Sequence, residues 1–257
     1  MAQWLAVTPL PDLSVQLYSV RQPLVEDFAG TMGRLADIGL TRVEPFGLLE
    51  FAEQLRETLP ATGLTAPTAH QDLESGDLDA TFELATELGV STIIHPYCPP
   101  ERWQSREEVE RLAGLLSTAS TAARTHGLQV AYHNHDWELA TRFDGRSALE
   151  VFVDLLDPSV LLEVDTYWAA TGGEDVPALL GRLGDRVVAL HLKDGPLNGD
   201  KAAQLPLGSG DLPAAEIVAA AAGVRFAVLE FDEYAGDIFE GIATSYAYAT
   251  ETLGAPR

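Results

Sequence analysis

"VLLEVDTYWAATGGEDVPALLGRLGDRVVALHLKD", residues 160–194, holds two apolar runs, 160–165 and 187–194, on either side of a longer amphipathic stretch that closes on the break "GDR" at 184–186. Runs this rich in Val and Leu have the composition of strands buried on both faces. A strand, a helical stretch and a second strand of this kind form a parallel crossover unit. The alternation continues outward. Towards the N-terminus come "QVAYHNH" (129–135), "TIIHP" (92–96), "TAPTAH" (65–70), "RVEPF" (42–46) and "LSVQLYSV" (13–20); towards the C-terminus comes "RFAVLEFDE" (225–233). Helical patterns lie between them. Leu24, Phe28, Met32, Leu35 and Ala36 fall at helical spacing before a stop at Gly39, and Ser105 with Glu108 spells a capping box for a helix that closes at Gly127. "DLPAAEIVAAAAG" (211–223) supplies the helix before the last strand.

Eight strand–helix units in 257 residues give about 32 residues per unit, the usual length of a βαβ repeat. No Gly-rich dinucleotide fingerprint follows the first strand, so a closed (β/α)₈ TIM barrel of the α/β class is expected rather than an open sheet. With 46% hydrophobic residues the chain has material for one large core, and a single domain over 1–257 is expected.

Charge narrows the function. Sixteen basic against 39 acidic residues leave a net charge of −23, with the basic ones scattered, which argues against nucleic acid and against an anionic membrane as partners. "MAQWLAVTPLPDL" does not read as a signal peptide, and no run approaches the roughly 20 apolar residues of a membrane span. Cys98 is the single cysteine, which fits a reducing compartment; a cytoplasmic location is expected.

In such a barrel the active site lies at the carboxyl ends of the strands. Those ends carry Tyr18, Glu44, His70, His95, His133 with His135, Asp165, His191 with Lys193, and Glu230 with Asp232. Burying so many ionisable groups without partners costs several kcal/mol, which a shared cation removes. Residues two apart share a strand face, so Glu163 goes with Asp165, Lys193 with His191, Asp232 with Glu230 and His135 with His133. Carboxylate, imidazole and carboxylate from strands six, seven and eight make a mixed N/O set. It suits one divalent cation, Mn²⁺, Mg²⁺, Co²⁺ or Zn²⁺.

Taken together, "YHNHDWEL", "EVDTYW", "ALHLKDG", "LGSGDL" and "LEFDE" resemble the sugar phosphate isomerase/epimerase group of the xylose-isomerase-like barrels over roughly residues 13–253. The resemblance implies a divalent ion held by an acidic group from strand five together with Asp165, His191 and Glu230. On strand five His133 stands where relatives carry Glu. Glu138, just beyond the strand, is the expected fourth ligand, with His133 as the alternative. His133, His135, Lys193 and Glu163 are then the candidates for proton transfer and charge stabilisation, although Lys193 and Glu163 read equally well as partners of the ligands. His70, His95, Trp168 and Tyr18, with Tyr167, are candidates for the substrate wall. "GSGD" (208–211) has the form of a phosphate-binding turn, but no basic cluster accompanies it, so a neutral sugar, keto-sugar or polyol is the expected ligand.

The expected activity is isomerisation or epimerisation through a proton transfer next to a carbonyl. Dehydration, cleavage of a 3-keto-glycoside, and a degenerate sugar-binding barrel are the alternatives. A DNA-repair endonuclease of the same barrel type would need a His three residues after Asp165, where Trp168 stands. Barrel relatives often dimerise, and a homodimer is expected on that ground alone.

Overall fold

The computed structural model describes residues 11–221 and 223–254. Residues 1–10, 222 and 255–257 of the domain expected over 1–257 therefore lie outside the described residues, as does Ala222 of the helix expected within 211–223.

Nine strands follow in chain order: β1 (Asp12–Val15), β2 (Thr68–His70), β3 (Thr92–His95), β4 (Gln129–His133), β5 (Arg142–Phe143), β6 (Arg146–Ser147), β7 (Val160–Asp165), β8 (Val187–Leu192) and β9 (Phe226–Leu229). Strands β5 and β6 form a small hairpin; the other seven make one parallel sheet in the order β1-β9-β8-β7-β4-β3-β2. The gap between β1 and β2 is closed by 42–46. Gln16 bridges to Glu44, while Arg42 bridges to Thr65 and Phe46 to His70, all parallel. The eighth stave is thus present as bridges rather than as the strand expected. Pro45 and Pro67 lack an N–H and interrupt the ladder there, though Glu44 N still donates to Val15 O at 2.8 Å and Val43 N to Thr65 O at 2.9 Å. The closed sheet is the TIM barrel expected.

The strands stop short of the apolar runs that announce them. Regular pairing ends at His133, Leu192 and Leu229, so His135, Lys193, Glu230 and Asp232 leave the ladder as loop residues that stay on the inward parity. Inside the barrel Ile94, Ala131, Val188, Ala189, Phe226 and Val228 form a small apolar plug, and these polar residues stand above it. The larger apolar cluster packs between sheet and helices. A register shift at Leu162/Glu163 sets Asp165 opposite His191 across β7 and β8. Bulges of this kind re-aim side chains next to sites.

Helix signals were legible with two exceptions. The pattern over 24–38 divides at Asp27, whose Oδ1 accepts from Gly30 N at 2.9 Å and so starts a second helix, Phe28–Ile38, ended by Gly39 at φ +108°. Ser105 caps Arg106–Ala123 through Glu108 N, but Glu108 spends its carboxylate on Arg111 and Arg102; the reciprocal box forms instead at Ser147 and Glu150. Among the described residues no helix is long and apolar enough to cross a membrane.

One buried carboxylate shapes the loop over the site. Asp194 follows β8 and accepts from Gly195 N (2.8 Å), Gly208 N (2.8 Å) and Leu212 N (3.0 Å). Gly208 opens the "GSGD" turn and Leu212 follows it, so the anion beside this turn is the chain's own carboxylate. A side chain at Gly210 would place its Cβ 2.3 Å from Asp194 Oδ1, which explains a glycine there. Asp194→Ala leaves these amides unpaired and is expected to cost about 2–3 kcal/mol, or a melting temperature lower by roughly 5–10 °C. It should also expose Lys201, the trypsin site between 195 and 213, to cleavage. Scanning calorimetry and timed trypsin digestion check both; unchanged values for the variant mean that Asp194 does not hold the loop.

Candidate active site

Glu163 Oε2 is the centre of the floor. His70 Nε2 lies 2.6 Å from it, His191 Nε2 3.0 Å and His133 Nδ1 3.1 Å. Glu44 Oε1 sits beside it, reached by Gln16 Nε2 at 2.9 Å, His191 Nε2 at 2.8 Å and His70 Nε2 at 3.2 Å. Both carboxylates are fully buried. Burial opposes ionisation of Glu163, but the charges of His191 and His70 and the hydrogen bond from His133 outweigh it and hold the carboxyl well below its usual range. For Glu44 burial, reinforced by the Glu163 charge, prevails and raises it.

Above this floor the donors converge a second time. His191 Nδ1 is 2.6 Å from Glu230 Oε2, and His133 Nε2 is 3.8 Å from Asp165 Oδ2. His133, Asp165, His191 and Glu230 each present one ligand atom within 4.8 Å of the others, all from buried residues. His70, His133, Glu163 and His191 form a deeper group by the same measure. Burial and the His191 charge push His133 well below an ordinary imidazole. For His191 burial is outweighed by Glu163 and Glu230, which raise it well above.

Lys193 completes the upper group. Its Nζ is 2.8 Å from each of Asp165 Oδ2, Glu230 Oε2 and Asp232 Oδ2. Burial opposes its charge, yet Asp165, Asp232 and Glu230 raise its pKa well above that of a free lysine. In turn, against the opposing effect of burial, the ammonium holds Glu230 well below the usual carboxylate range and Asp232 below it. At Asp165, burial outweighs Lys193 and the pKa rises. Lys193 is therefore a partner of the expected ligands Asp165 and Glu230, while Asp194 is turned into the loop.

A cavity of about 380 Å³ opens over this group, lined on the polar side by His70, His133, His135, Lys193, Glu230 and Asp232. Tyr18, Phe46, Tyr97 and Trp137 supply an aromatic wall, and Lys201 and Asp72 reach its rim. A larger cavity of about 510 Å³ lies alongside and shares Asp232, but none of the donor groups opens into it.

Several residues sit elsewhere than the sequence suggested. Glu138, the expected fourth ligand, joins neither group: its oxygens accept from Tyr132 OH at 2.7 Å and from His135 N at 2.9 Å, and His133 stands in the set instead. His95 shares the strand face of Ile93, away from the interior; its Nδ1 accepts from Leu73 N at 3.1 Å, and it does not line the cavity. Trp168 is buried with its Nε1 donating to Asp232 Oδ2 at 3.2 Å, and Tyr167 is buried against Gly195, so neither forms the wall. Glu163 lies beneath the imidazoles and has no face on the cavity. Asn134 ties β4 to β7 by accepting from Asp165 N at 3.0 Å and donating to Asp165 O at 3.3 Å. Gln16, Gln204, Tyr97, Trp137 and Lys201 were not singled out from the sequence. Gln204 holds Asp232 from the loop, Nε2 to Oδ2 at 2.7 Å.

Comparison with known proteins places this geometry in a family. Residues 33–240 match the family model described as a xylose isomerase-like TIM barrel. An inosose dehydratase of Mesomycoplasma hyopneumoniae is 34% identical over 91 residues, which is 35% of this chain and 29% of that protein. The chain thus matches less than a third of that relative's length. A sugar phosphate isomerase/epimerase from Parabacteroides distasonis superposes with a TM-score of 0.79 at 23% identity, covering 96% of both chains. A xylose isomerase-like barrel protein from Mycobacterium smegmatis in complex with magnesium superposes with a TM-score of 0.69 at 15% identity, over 95% of this chain and 96% of that one. The two structural likenesses speak for the fold, and the family model covers most of the sequence: this chain belongs to the xylose isomerase-like TIM barrel family.

Proposed function

We propose that the protein is a divalent-metal-dependent enzyme that takes a proton from the carbon beside the carbonyl of a small keto-polyol or keto-sugar and then expels a β-hydroxyl as water. The observation that carries this reading is the convergence of four buried ligand atoms, from His133, Asp165, His191 and Glu230, within 4.8 Å under a cavity that also holds His135 and Lys193. Isomerisation or epimerisation shares the first proton transfer. Elimination is preferred because the relative matched by sequence is an inosose dehydratase.

The residues fit a divalent ion. A span of 4.8 Å is what two bonds of up to about 2.4 Å bridge. Glu44 Oε2 and Glu163 Oε1 are buried without a hydrogen bond, and Asp165 Oδ2 is answered only by Lys193 Nζ at 2.8 Å. Five buried carboxylates, Glu44, Glu163, Asp165, Glu230 and Asp232, face one lysine and three imidazoles. When bound, such an ion supplies Lewis acidity towards a carbonyl oxygen and its neighbouring hydroxyl.

The chain's own groups do the proton work. His135 lines the cavity, stacks on Trp137 at 4.3 Å between centroids, and has Glu138 Oε1 3.7 Å from its Nδ1. A ring fixed by stacking and backed by a carboxylate is suited to take the carbon-bound proton. The aromatic wall excludes water on that side. The departing hydroxyl oxygen takes the proton that His135 has accepted, so the C–O bond breaks and water leaves, while Lys193, held by three carboxylates and lining the same cavity, supplies a positive charge beside it. Glu163 serves as the shared acceptor that orients three imidazoles.

Asp165→Asn and Glu230→Gln should each leave the barrel folded by circular dichroism while removing most of the metal found by elemental analysis of the purified protein; full occupancy in either variant excludes that residue as a ligand. His135→Gln should lower kcat by about 10²–10⁴ with a smaller change in KM on inososes or ketohexoses followed by NMR in D₂O. Comparable turnover in the variant removes His135 from the mechanism.

Lys193→Met carries a pH signature. Glu230 and Asp232 have lowered folded pKa values, so their stabilisation is present at neutral pH and is lost as pH falls through those values. Lys193, with a raised pKa, stays charged throughout this range. Without the ammonium, burial prevails and the carboxyls rise above their unfolded pKa, so protonation stabilises the variant. In chelator, the melting temperature should fall by the equivalent of about 3–5 kcal/mol near pH 8, and the gap to the unaltered protein should narrow towards pH 5. A gap independent of pH refutes this account of Lys193.

A further inference from the structure

We propose that His133 tunes this centre towards ions that accept imidazole nitrogen, of the Zn²⁺, Co²⁺ and Ni²⁺ type, at the expense of Mg²⁺. The inference rests on the metal reading above and adds to it which ion the residues select.

Strands β4 and β7 pair His133 with Glu163, which puts the imidazole opposite an acceptor. Glu163 Oε2 is 3.1 Å from His133 Nδ1, and an ionised carboxylate oxygen only accepts, so the ring's hydrogen is on Nδ1. Nε2 then carries the lone pair. It faces Asp165 Oδ2 at 3.8 Å, too far for a hydrogen bond. An unprotonated imidazole nitrogen and a carboxylate oxygen that also meets Lys193 Nζ at 2.8 Å converge there in a buried site, and they form half of a cation site. Their separation is below the roughly 4.0–4.2 Å that two bonds of about 2.0–2.1 Å can span.

Neither partner is free to turn away. Asn134 binds Asp165 N and Asp165 O, so the ends of β4 and β7 move together. Asp165 Oδ1 accepts from Trp168 N at 2.9 Å, which leaves Oδ2 on the side of Lys193 Nζ, at 2.8 Å, and of His133 Nε2, at 3.8 Å. His191 is set with its ring reversed: Nε2 lies on Glu44 and Glu163, and Nδ1 hydrogen-bonds Glu230 Oε2 at 2.6 Å through a proton that an ion would displace. The two imidazoles are thus oriented by carboxylates beneath them, and the set becomes N₂O₂ with two formal negative charges.

Such a set balances a divalent ion and offers two neutral nitrogens. Imidazole suits zinc, cobalt and nickel, whereas Mg²⁺ demands octahedral oxygen ligands and dehydrates reluctantly. A carboxylate in place of His133 would supply a third anionic oxygen and shift the balance towards the harder ions.

The full-length protein, stripped by chelator, is titrated calorimetrically with Zn²⁺, Mn²⁺ and Mg²⁺ alongside His133→Glu. Because most N/O sites favour Zn²⁺ over Mg²⁺, the decisive quantity is the change in the ratio of the two affinities. It should fall by at least about tenfold in His133→Glu. A second measurement needs no variant to fold. Proton NMR of the Co²⁺-loaded natural chain should show two exchangeable ring N–H resonances shifted by the ion, held against exchange by their buried carboxylate partners, and His133→Gln should retain one. An unchanged affinity ratio, or a single shifted N–H in the natural chain, overturns the role of His133 while leaving the metal reading in place. A natural chain that takes up no divalent ion overturns both.

Discussion

A carboxylate taken out of water has to be answered by N–H donors or by positive charge, and the mouth of this barrel buries five of them together. Everything else in the site follows from how they are answered. Glu163 receives three imidazole nitrogens on one oxygen, while Glu44 is met by Gln16, His70 and His191. Asp165, Glu230 and Asp232 share a single ammonium. The parallel sheet makes the arrangement hold, because neighbouring strands bring residues of inward parity to one level without loops having to place them. The register shift in β7 is the local adjustment that sets Asp165 level with His191.

Period-two alternation made much of this legible in the sequence. It pairs Glu163 with Asp165, His191 with Lys193 and Glu230 with Asp232, and all six meet in the site, Glu163 in its floor and the carboxylates around Lys193 above. The same rule, applied to "TIIH", puts Ile94 inside and His95 outside, so the misplacement of His95 came from reading strand ends without their parity. Glu138 was beyond such reasoning. It lies on the short helix Trp137–Ala140 after β4, and only the turn of the chain there carries its carboxylate back to Tyr132, six residues earlier. Loop residues were illegible for a related reason: Gln204 and Lys201 reach the site from a segment with no periodicity, and what aims that segment is Asp194.

Asp194 also shows why a short motif misleads. The first amide of "GSGD" and the one that follows the motif do meet an anion, but the anion is a side chain fourteen residues earlier than Gly208. Nothing in the turn itself distinguishes an internal carboxylate from a bound phosphate. The distinction lies in a residue that the motif does not contain. The same structural economy applies to Trp168, whose indole N–H is committed to Asp232 and which stands where a third metal of the endonuclease type would need an imidazole.

These commitments bear on what the cavity can accept. Its buried ammonium is shared among three carboxylates, the amides of the loop are filled by Asp194, and the whole chain carries −23 charges. Lys201, at the rim with its Nζ 5.8 Å from the Trp168 ring centroid, is a single exposed cation and is little answer to a phosphate dianion. An uncharged polyol meets no opposing field. Its hydroxyls can donate to Glu230 and Asp232, which as carboxylates only accept, and its C–H faces can lie on Tyr97, Trp137 and Phe46. Under the proposed function the arrangement therefore selects by complementarity of donors and apolar faces, with net charge acting mainly to keep anionic sugars out.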